Sequence, residues 1–443
     1  MVLGSTANHV IHHAECPVVV CRGDHAPEPL HVVVGVDDHD LEDGENESVR
    51  ALRFAAMMFP EARIDAVHAW FVPMFALIEE SREADLIVSQ PQPGRDRPLS
   101  GGRHSSLAPG ADTVARVIPL SVLDLSVVRD GGTSSLALDH TTRLAQHADR
   151  LGFLRFWVAE HHNMGTVAST TPGVLAAHLA ATTERIKVGS GGVMLPNHAP
   201  LAIAEQFALL ESLYPGRIDL GIGRAPGTDP RTASAFGRHP HESVEKFPRD
   251  LIDVMGMLGD QRGDEGMWTS FRATPVLTSS PTVALLGSSG YSAQLAGMLG
   301  LPFAYAHHFD TGQTNLASQL YLDKFEPSPV LDEPYLILGV GALAAETDDE
   351  AARIGLPSQI LRLGIRTNKR NPLVSPDAAV DHPDAQQARS MPSQQLIGST
   401  ERVVEGLRDL VHRTKADELM LTAATYDLED KLRSLDLIHA AWR

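Results

Sequence analysis

Between residues 118 and 423 the chain alternates short apolar, β-branched runs with segments of helical spacing, and it does so eight times. The runs are Ile118–Val128, Arg155–Val158, Ile186–Leu195, Arg217–Ile222, Val283–Leu286, Phe303–Ala306, Tyr335–Ala342 and Glu418–Ala423. Strands joined through helices lie parallel, and eight such units predict a closed (β/α)8 barrel. The helices have readable starts and stops. Thr133-Ser134-Ser135 caps Leu136–Leu151, Thr171 precedes a helix with Pro172 in its first turn, and Leu201–Leu213 stops at Tyr214-Pro215-Gly216. An open doubly wound sheet also alternates strand and helix, but its Gly-x-Gly-x-x-Gly after the first strand is missing. Two connections, 225–282 and 343–417, read as insertions that should shape a substrate pocket.

The 443 residues exceed what one core usually supports, which predicts more than one folding unit. Residues 89–116 are rich in Pro, Gly, Ser and Arg and read as a linker between residues 1–88 and 117–443. A net charge of −19 argues against nucleic acid or an acidic membrane as partner, since both attract clustered Lys and Arg. No apolar stretch reaches the ~20 residues of a membrane span, and no basic-then-apolar leader opens the chain. The expectation is a cytoplasmic protein. Cys16 and Cys21 have neither zinc nor thioredoxin spacing, so no metal site is read from them.

In parallel barrels the chemistry gathers at the C-terminal ends of the strands, and the polar motifs fall there. The second strand ends in Glu160-His161-His162-Asn163, an acid and two imidazoles where packing asks for none. The third ends in Gly189-Ser190-Gly191-Gly192-Val193-Met194, small enough for a flat ligand to approach the backbone. The fourth ends in Gly221-Ile222-Gly223-Arg224, which offers a planar cation to a phosphate. The fifth ends in Gly287-Ser288-Ser289-Gly290-Tyr291-Ser292 before a helix, a set of amides and hydroxyls aimed at an anion. The sixth ends in Tyr305-Ala306-His307-His308-Phe309, to which no role is assigned. Together, an anion cradle beside a glycine-lined floor describes a phosphorylated planar cofactor.

These motifs resemble the bacterial luciferase-like flavin-dependent monooxygenase family over residues 117–443. The resemblance rests on Trp157-Val158-Ala159-Glu160-His161-His162-Asn163, Val188 through His198, Gly216 through Thr228, and Leu286-Gly287-Ser288-Ser289-Gly290-Tyr291. It implies a barrel that takes reduced FMN from a separate flavin reductase and oxygenates a small molecule through a flavin C4a-peroxide. It further implies Arg224, Ser289 and Ser292 at the phosphate, with Gly287 and Gly290 in the same loop and Ser288 where luciferase carries a glutamate. Ser190-Gly191-Gly192 would lie against the isoalloxazine, and His161 would serve proton transfer, with Glu160 or His162 orienting it. A homodimer is implied as well. A deazaflavin-dependent oxidoreductase of the same superfamily, or a barrel that holds flavin without turnover, would share these motifs. The substrate is not written in them.

Residues 2–88 resemble fragments of the universal stress protein family. Leu3 through Val10 with Cys16–Val20 looks like the end of one copy, in which Gly4-Ser5 contacts phosphate. Val32 through Asp37, a helix at Ser48–Met58 and a strand at Arg63–Trp70 look like the start of another. The first lacks its opening strands and the second its Gly-x-x-Gly loop after Val88. A nucleotide-binding stress protein with a non-catalytic barrel is therefore the competing function of a different class.

Overall fold

The computed structural model describes residues 118–225, 230–237, 246–309, 312–367, 369 and 372–442, together with the backbone of four earlier strands. The chain divides into two compact units, Met1–Ala111 and Asp112–Arg443. In the first, β1 (Val18–Cys21), β2 (His31–Val36), β3 (Arg63–His68) and β4 (Leu86–Ser89) form a sheet in the order β1-β4-β2-β3. β2 is parallel to β3 and β4, and β1 is antiparallel to β4. Four strands of this kind identify no family. The Gly4-Ser5 turn, the helix expected at Ser48–Met58 and most of the expected linker lie outside the described residues.

The second unit is built on β5 (Leu120–Asp124), β6 (Arg155–Val158), β7 (Lys187–Met194), β8 (Ile218–Gly223), β9 (Thr282–Gly287), β10 (Phe303–Tyr305), β11 (Leu336–Ala345), β12 (Leu396–Ser399) and β13 (Glu418–Thr422). The sheet runs β10-β9-β8-β7-β6-β5-β13-β11 and closes through a β10–β11 pairing, so eight parallel strands make a ring. This is the expected barrel. The first strand is shorter than its apolar run, because Ser126 takes a left-handed backbone (φ 51°) and its N–H turns back to Asp124 Oδ2 at 3.1 Å. β11 is longer than expected, because β12 pairs with Ala342–Ala345 outside the ring.

Around the ring lie α1 (Ser134–Leu151), α2 (Pro172–Thr182), α3 (Pro200–Leu213), α4 (Pro230–Ala235), α5 (Phe247–Met257) and α6 (Gly290–Met298). They are followed by α7 (Thr314–Lys324), α8 (Asp348–Arg366), α9 (Pro376–Val380), α10 (Ala385–Ser390), α11 (Thr400–Thr414) and α12 (Leu428–Ala441). Thr133 caps α1 by accepting from Leu136 N at 3.2 Å, and Gly152 closes the helix in the left-handed region. None of the described helices is long and apolar enough to cross a membrane.

Each strand sorts its side chains by parity. On β6, Phe156 and Val158 join the core between strands and helices, while Arg155 and Trp157 point into the ring. At the N-terminal end the ring is filled by charge. Arg155 Nη1 lies 2.9 Å from Asp219 Oδ2 and its Nε 2.8 Å from Glu418 Oε1. Tyr335 Oη donates to Glu418, and Trp157 Nε1 donates to Asp219 at 3.0 Å. Above this cluster sits an apolar layer of Leu123, Trp157, Ala159, Ala284, Ala304, Ile337 and Met420. That layer floors the mouth.

Candidate active site

The mouth holds a cavity of about 280 Å³ over this apolar floor. The inward parity of β6 continues past the strand: Trp157, Ala159 and His161 all line the cavity. Glu160, on the opposite parity, does not. His161 Nδ1 is buried without a hydrogen-bond partner, and its backbone N–H is held by Ser169 O at 3.1 Å. Burial lowers its pKa, with His162 adding to the effect and the Glu160 charge opposing it.

Glu160 is fully buried and serves as a hub. Its Oε1 accepts from Nε2 of both His162 and His198 at 2.8 Å, and its Oε2 accepts from Met194 N at 3.0 Å. A carboxylate only accepts, so both imidazoles carry their proton on Nε2. Burial alone would raise the carboxyl, but hydrogen bonds from His198, His162 and Met194 N outweigh it and hold Glu160 below the usual range. The hub thus ties the loop after β6 to the loop after β7. The expectation that Glu160 or His162 bonds to and orients His161 meets a different geometry. His162 is turned away from the cavity and packs edge-on against Phe236 at 4.7 Å.

Of the three residues expected against a flavin ring, Gly191 lines the cavity. A Cβ on Gly191 would sit 2.8 Å from Leu123 Cδ1 and 3.0 Å from Trp157 Cβ, so the floor is shaped around its absence. Ser190 is buried and donates to Gly221 O at 2.8 Å, and Gly192 faces the Gly221 backbone of β8. Gly189 serves strand packing: its Cβ would lie 2.1 Å from Asp219 O.

At the ends of β8 and β9 the cavity is lined by Arg224, Gly287, Ser288, Ser289 and Ser292. Ser289 is the N-cap of α6 but makes no side-chain cap bond, so the first-turn amides stay open. Gly290 opens the helix beside them. The Arg224 guanidinium lies 4.3 Å over the Tyr291 ring, which places it beside that helix start. Among the described residues Arg224 forms no ion pair. Half-buried as it is, burial lowers its pKa, yet guanidinium remains a cation. A cation, free hydroxyls and a helix N-terminus converge where a phosphate fits.

On the far side, His308 lines the cavity with Nδ1 2.9 Å from Gly339 O. Burial pushes its pKa down to about 4 against that hydrogen bond, with His307 and His161 adding. The long connections lie partly outside the described residues. Among the described residues, Ala225 alone of 225–282 reaches the cavity, and no residue of 343–417 does. The wall is instead made by strand residues such as Leu123, Leu286, Ile337 and Met420. Sequence reading gave no role to three contributors: His198, whose partner Glu160 is 38 residues away, Tyr291 under Arg224, and His308. Only the last had a signal, its place at a strand end.

The sequence pattern of the luciferase-like monooxygenase family matches residues 118–418. The chain belongs to this family. It is similar to YvbT of Bacillus subtilis, 43% identical over 328 residues, which span 73% of this chain and 96% of YvbT. The luciferase-like monooxygenase of Escherichia coli K12 is 40% identical over 73% of this chain and 96% of its own. N-acetyl-S-alkylcysteine monooxygenase of Bacillus subtilis is 32% identical over 71% of this chain and 91% of its own. Among solved structures, apo-MsnO8 superposes with a TM-score of 0.67 at 36% identity, over 73% of this chain and 97% of MsnO8. The oxygenating constituent of 3,6-diketocamphane monooxygenase from Pseudomonas putida, in complex with FMN, shares the fold (TM-score 0.56, 19% identity, 73% and 97% covered). So does an F420-dependent secondary alcohol dehydrogenase (0.53, 14%, 74% and 99%).

Proposed function

We propose that the protein is a flavin-dependent monooxygenase that uses reduced FMN and dioxygen to oxygenate a small, largely apolar molecule. One observation carries this reading: Arg224, without an acidic partner among the described residues, stands beside the start of α6 with Ser288, Ser289 and Ser292 at one end of a mainly apolar cavity. An anion there would give Arg224 the counter-charge it lacks among the described residues. Arg224, Ser289 and Ser292 would hold the phosphate, and Gly191 leaves room for a flat ring over Trp157 and Leu123. The names of the N-acetyl-S-alkylcysteine and diketocamphane monooxygenases agree with oxygen chemistry in this family.

Bound reduced FMN supplies the electrons that activate oxygen; the chain supplies orientation, protons and a dry site. The apolar wall excludes water from the reacting end. His161, whose imidazole lines the cavity, would hold or receive a proton there. The Glu160 hub fixes the loops on either side of that imidazole. A separate flavin reductase belongs to this reading. So does a homodimer covering Val174, Leu209 and Leu213, which stand exposed on α2 and α3.

Anaerobic titration with reduced FMN and with reduced coenzyme F420, followed by oxygen, tests the reading. Tight FMN binding is expected, with oxygen uptake matched by oxygenated product from a panel of aldehydes, ketones and thioethers taken with and without a hydroxyl or amide N–H. Binding of F420 in place of FMN, without oxygen uptake, would move the protein to the deazaflavin oxidoreductases.

A further inference from the structure

Ring closure fixes which side chains oppose one another. In the order β10-β9-β8-β7-β6-β5-β13-β11, β6 and β10 are four strands apart in either direction. His161 after β6 and His308 after β10 therefore face each other across the mouth, and His161 is close enough to affect the titration of His308. The anion cradle at β8 and β9 likewise lies opposite β13 and β5, whose Met420 and Leu123 form the apolar wall. The two imidazoles flank the space between cradle and wall.

His308 is tied to one side of that space. Its Nδ1 lies 2.9 Å from Gly339 O, and a carbonyl accepts only, so Nδ1 carries the proton. The bond draws the ring onto β11, two residues past Ile337, toward the apolar wall and away from β9. Gly339 permits the approach, since a Cβ there would lie 3.1 Å from Nδ1. The second nitrogen, Nε2, makes no hydrogen bond among the described residues, and burial keeps the ring from protonating near neutral pH. A fixed lone pair is thereby offered to a cavity whose other surfaces on this side are hydrocarbon.

We propose that His308 is a specificity-determining residue: its Nε2 accepts a hydrogen bond from a hydroxyl or amide N–H of the substrate. The substrate is then a small, mainly hydrocarbon molecule with one hydrogen-bond donor, held by that donor between the imidazoles while its apolar body lies on Ile337 and Met420. The assignment rests on the monooxygenase reading for the chemistry but not for the donor preference. A site built to accept a hydrogen bond discriminates against analogues that lack the donor.

The full chain, first titrated with FMN, is tested by calorimetry with matched probes: 1-hexanol against 1-methoxyhexane, and N-butylacetamide against N-butyl-N-methylacetamide. The donor-bearing member of each pair should bind about tenfold tighter. His308→Phe should erase that preference while leaving FMN affinity within twofold, and His308→Gln, which keeps an acceptor, should retain part of it. Histidine-selective ¹⁵N NMR of the wild-type chain should find His308 neutral with its proton on Nδ1 from pH 6 to 8. Equal binding within each pair, including no measurable binding of either, overturns the proposal. So does a proton on Nε2, or a loss of FMN affinity in His308→Phe, which would give the residue to the cofactor. Failure of the wild-type chain to bind FMN counts against the cofactor reading instead, and the probe preference is still read without it.

Discussion

Replacing Glu160 by Gln removes one charge and turns one of two acceptor oxygens into an amide donor at a fully buried position, with almost no change of volume. The carboxylate accepts two imidazole N–H groups at 2.8 Å and one backbone amide at 3.0 Å, with Asn197 Nδ2 at 3.3 Å too long to add much. A charged acceptor makes each such bond stronger by about 1 kcal/mol than a neutral one, so the loss is about 3 kcal/mol. With about 2.1 cal/mol/K of unfolding entropy per residue, a barrel of this size should melt about 4–5 °C lower. The sign of the pH dependence follows from the depressed carboxyl. Its contribution is fully present above the ordinary glutamate value of 4.5 and is lost as pH falls through the lower folded value. The gap between wild type and Glu160→Gln should therefore be widest at neutral pH and should close in acid. Scanning calorimetry of the full chain at matched scan rates, from pH 7 down to pH 3.5, reads both effects. A melting difference below about 1 °C at pH 7, or one that does not shrink in acid, would refute the hub.

Other replacements separate structure from chemistry. His161→Ala should lower oxygenation at least about a hundredfold while FMN affinity, read by fluorescence titration, stays within threefold; collapse of binding would make the residue structural. Gly189→Ala should cost about 3 kcal/mol and reduce soluble yield, because its Cβ would lie 2.1 Å from Asp219 O; an unchanged melt would contradict the close β7–β8 contact. Val174→Lys with Leu209→Lys should turn a homodimer into a monomer in sedimentation without lowering the barrel's melt, and an unaltered sedimentation coefficient would exclude that face.

The barrel was legible because most ring strands, β10 and β11 above all, carry few polar residues, as expected for strands buried on both faces. Its edges were less so. Ser126 ends β5 through a local backbone reversal that hydropathy does not report, and β12 is too short and too mixed in its burial to stand out. In the site, the strand ends were readable and the partners were not. Glu160 sits next to His161 in sequence but on the opposite parity, which sends its carboxylate to His198 at the next strand end. Ser190 reads as a hydroxyl at a ligand surface, yet parity turns it to the Gly221 carbonyl. Long connections suggested a pocket made by insertions, whereas the described wall comes from inward strand residues whose composition resembles ordinary core. Pairing across a ring depends on closure, and closure is a property of all eight strands together.

The phosphate cradle at Arg224 and the start of α6 is tested most directly by comparing FMN with riboflavin, which differs only by the phosphate. Wild-type chain should bind FMN about a hundredfold tighter than riboflavin, and Arg224→Ala should erase most of that advantage while riboflavin affinity stays the same. Equal affinities for the two flavins in the wild type, or a variant that loses riboflavin as much as FMN, would contradict a phosphate held at Arg224 and with it the flavin site.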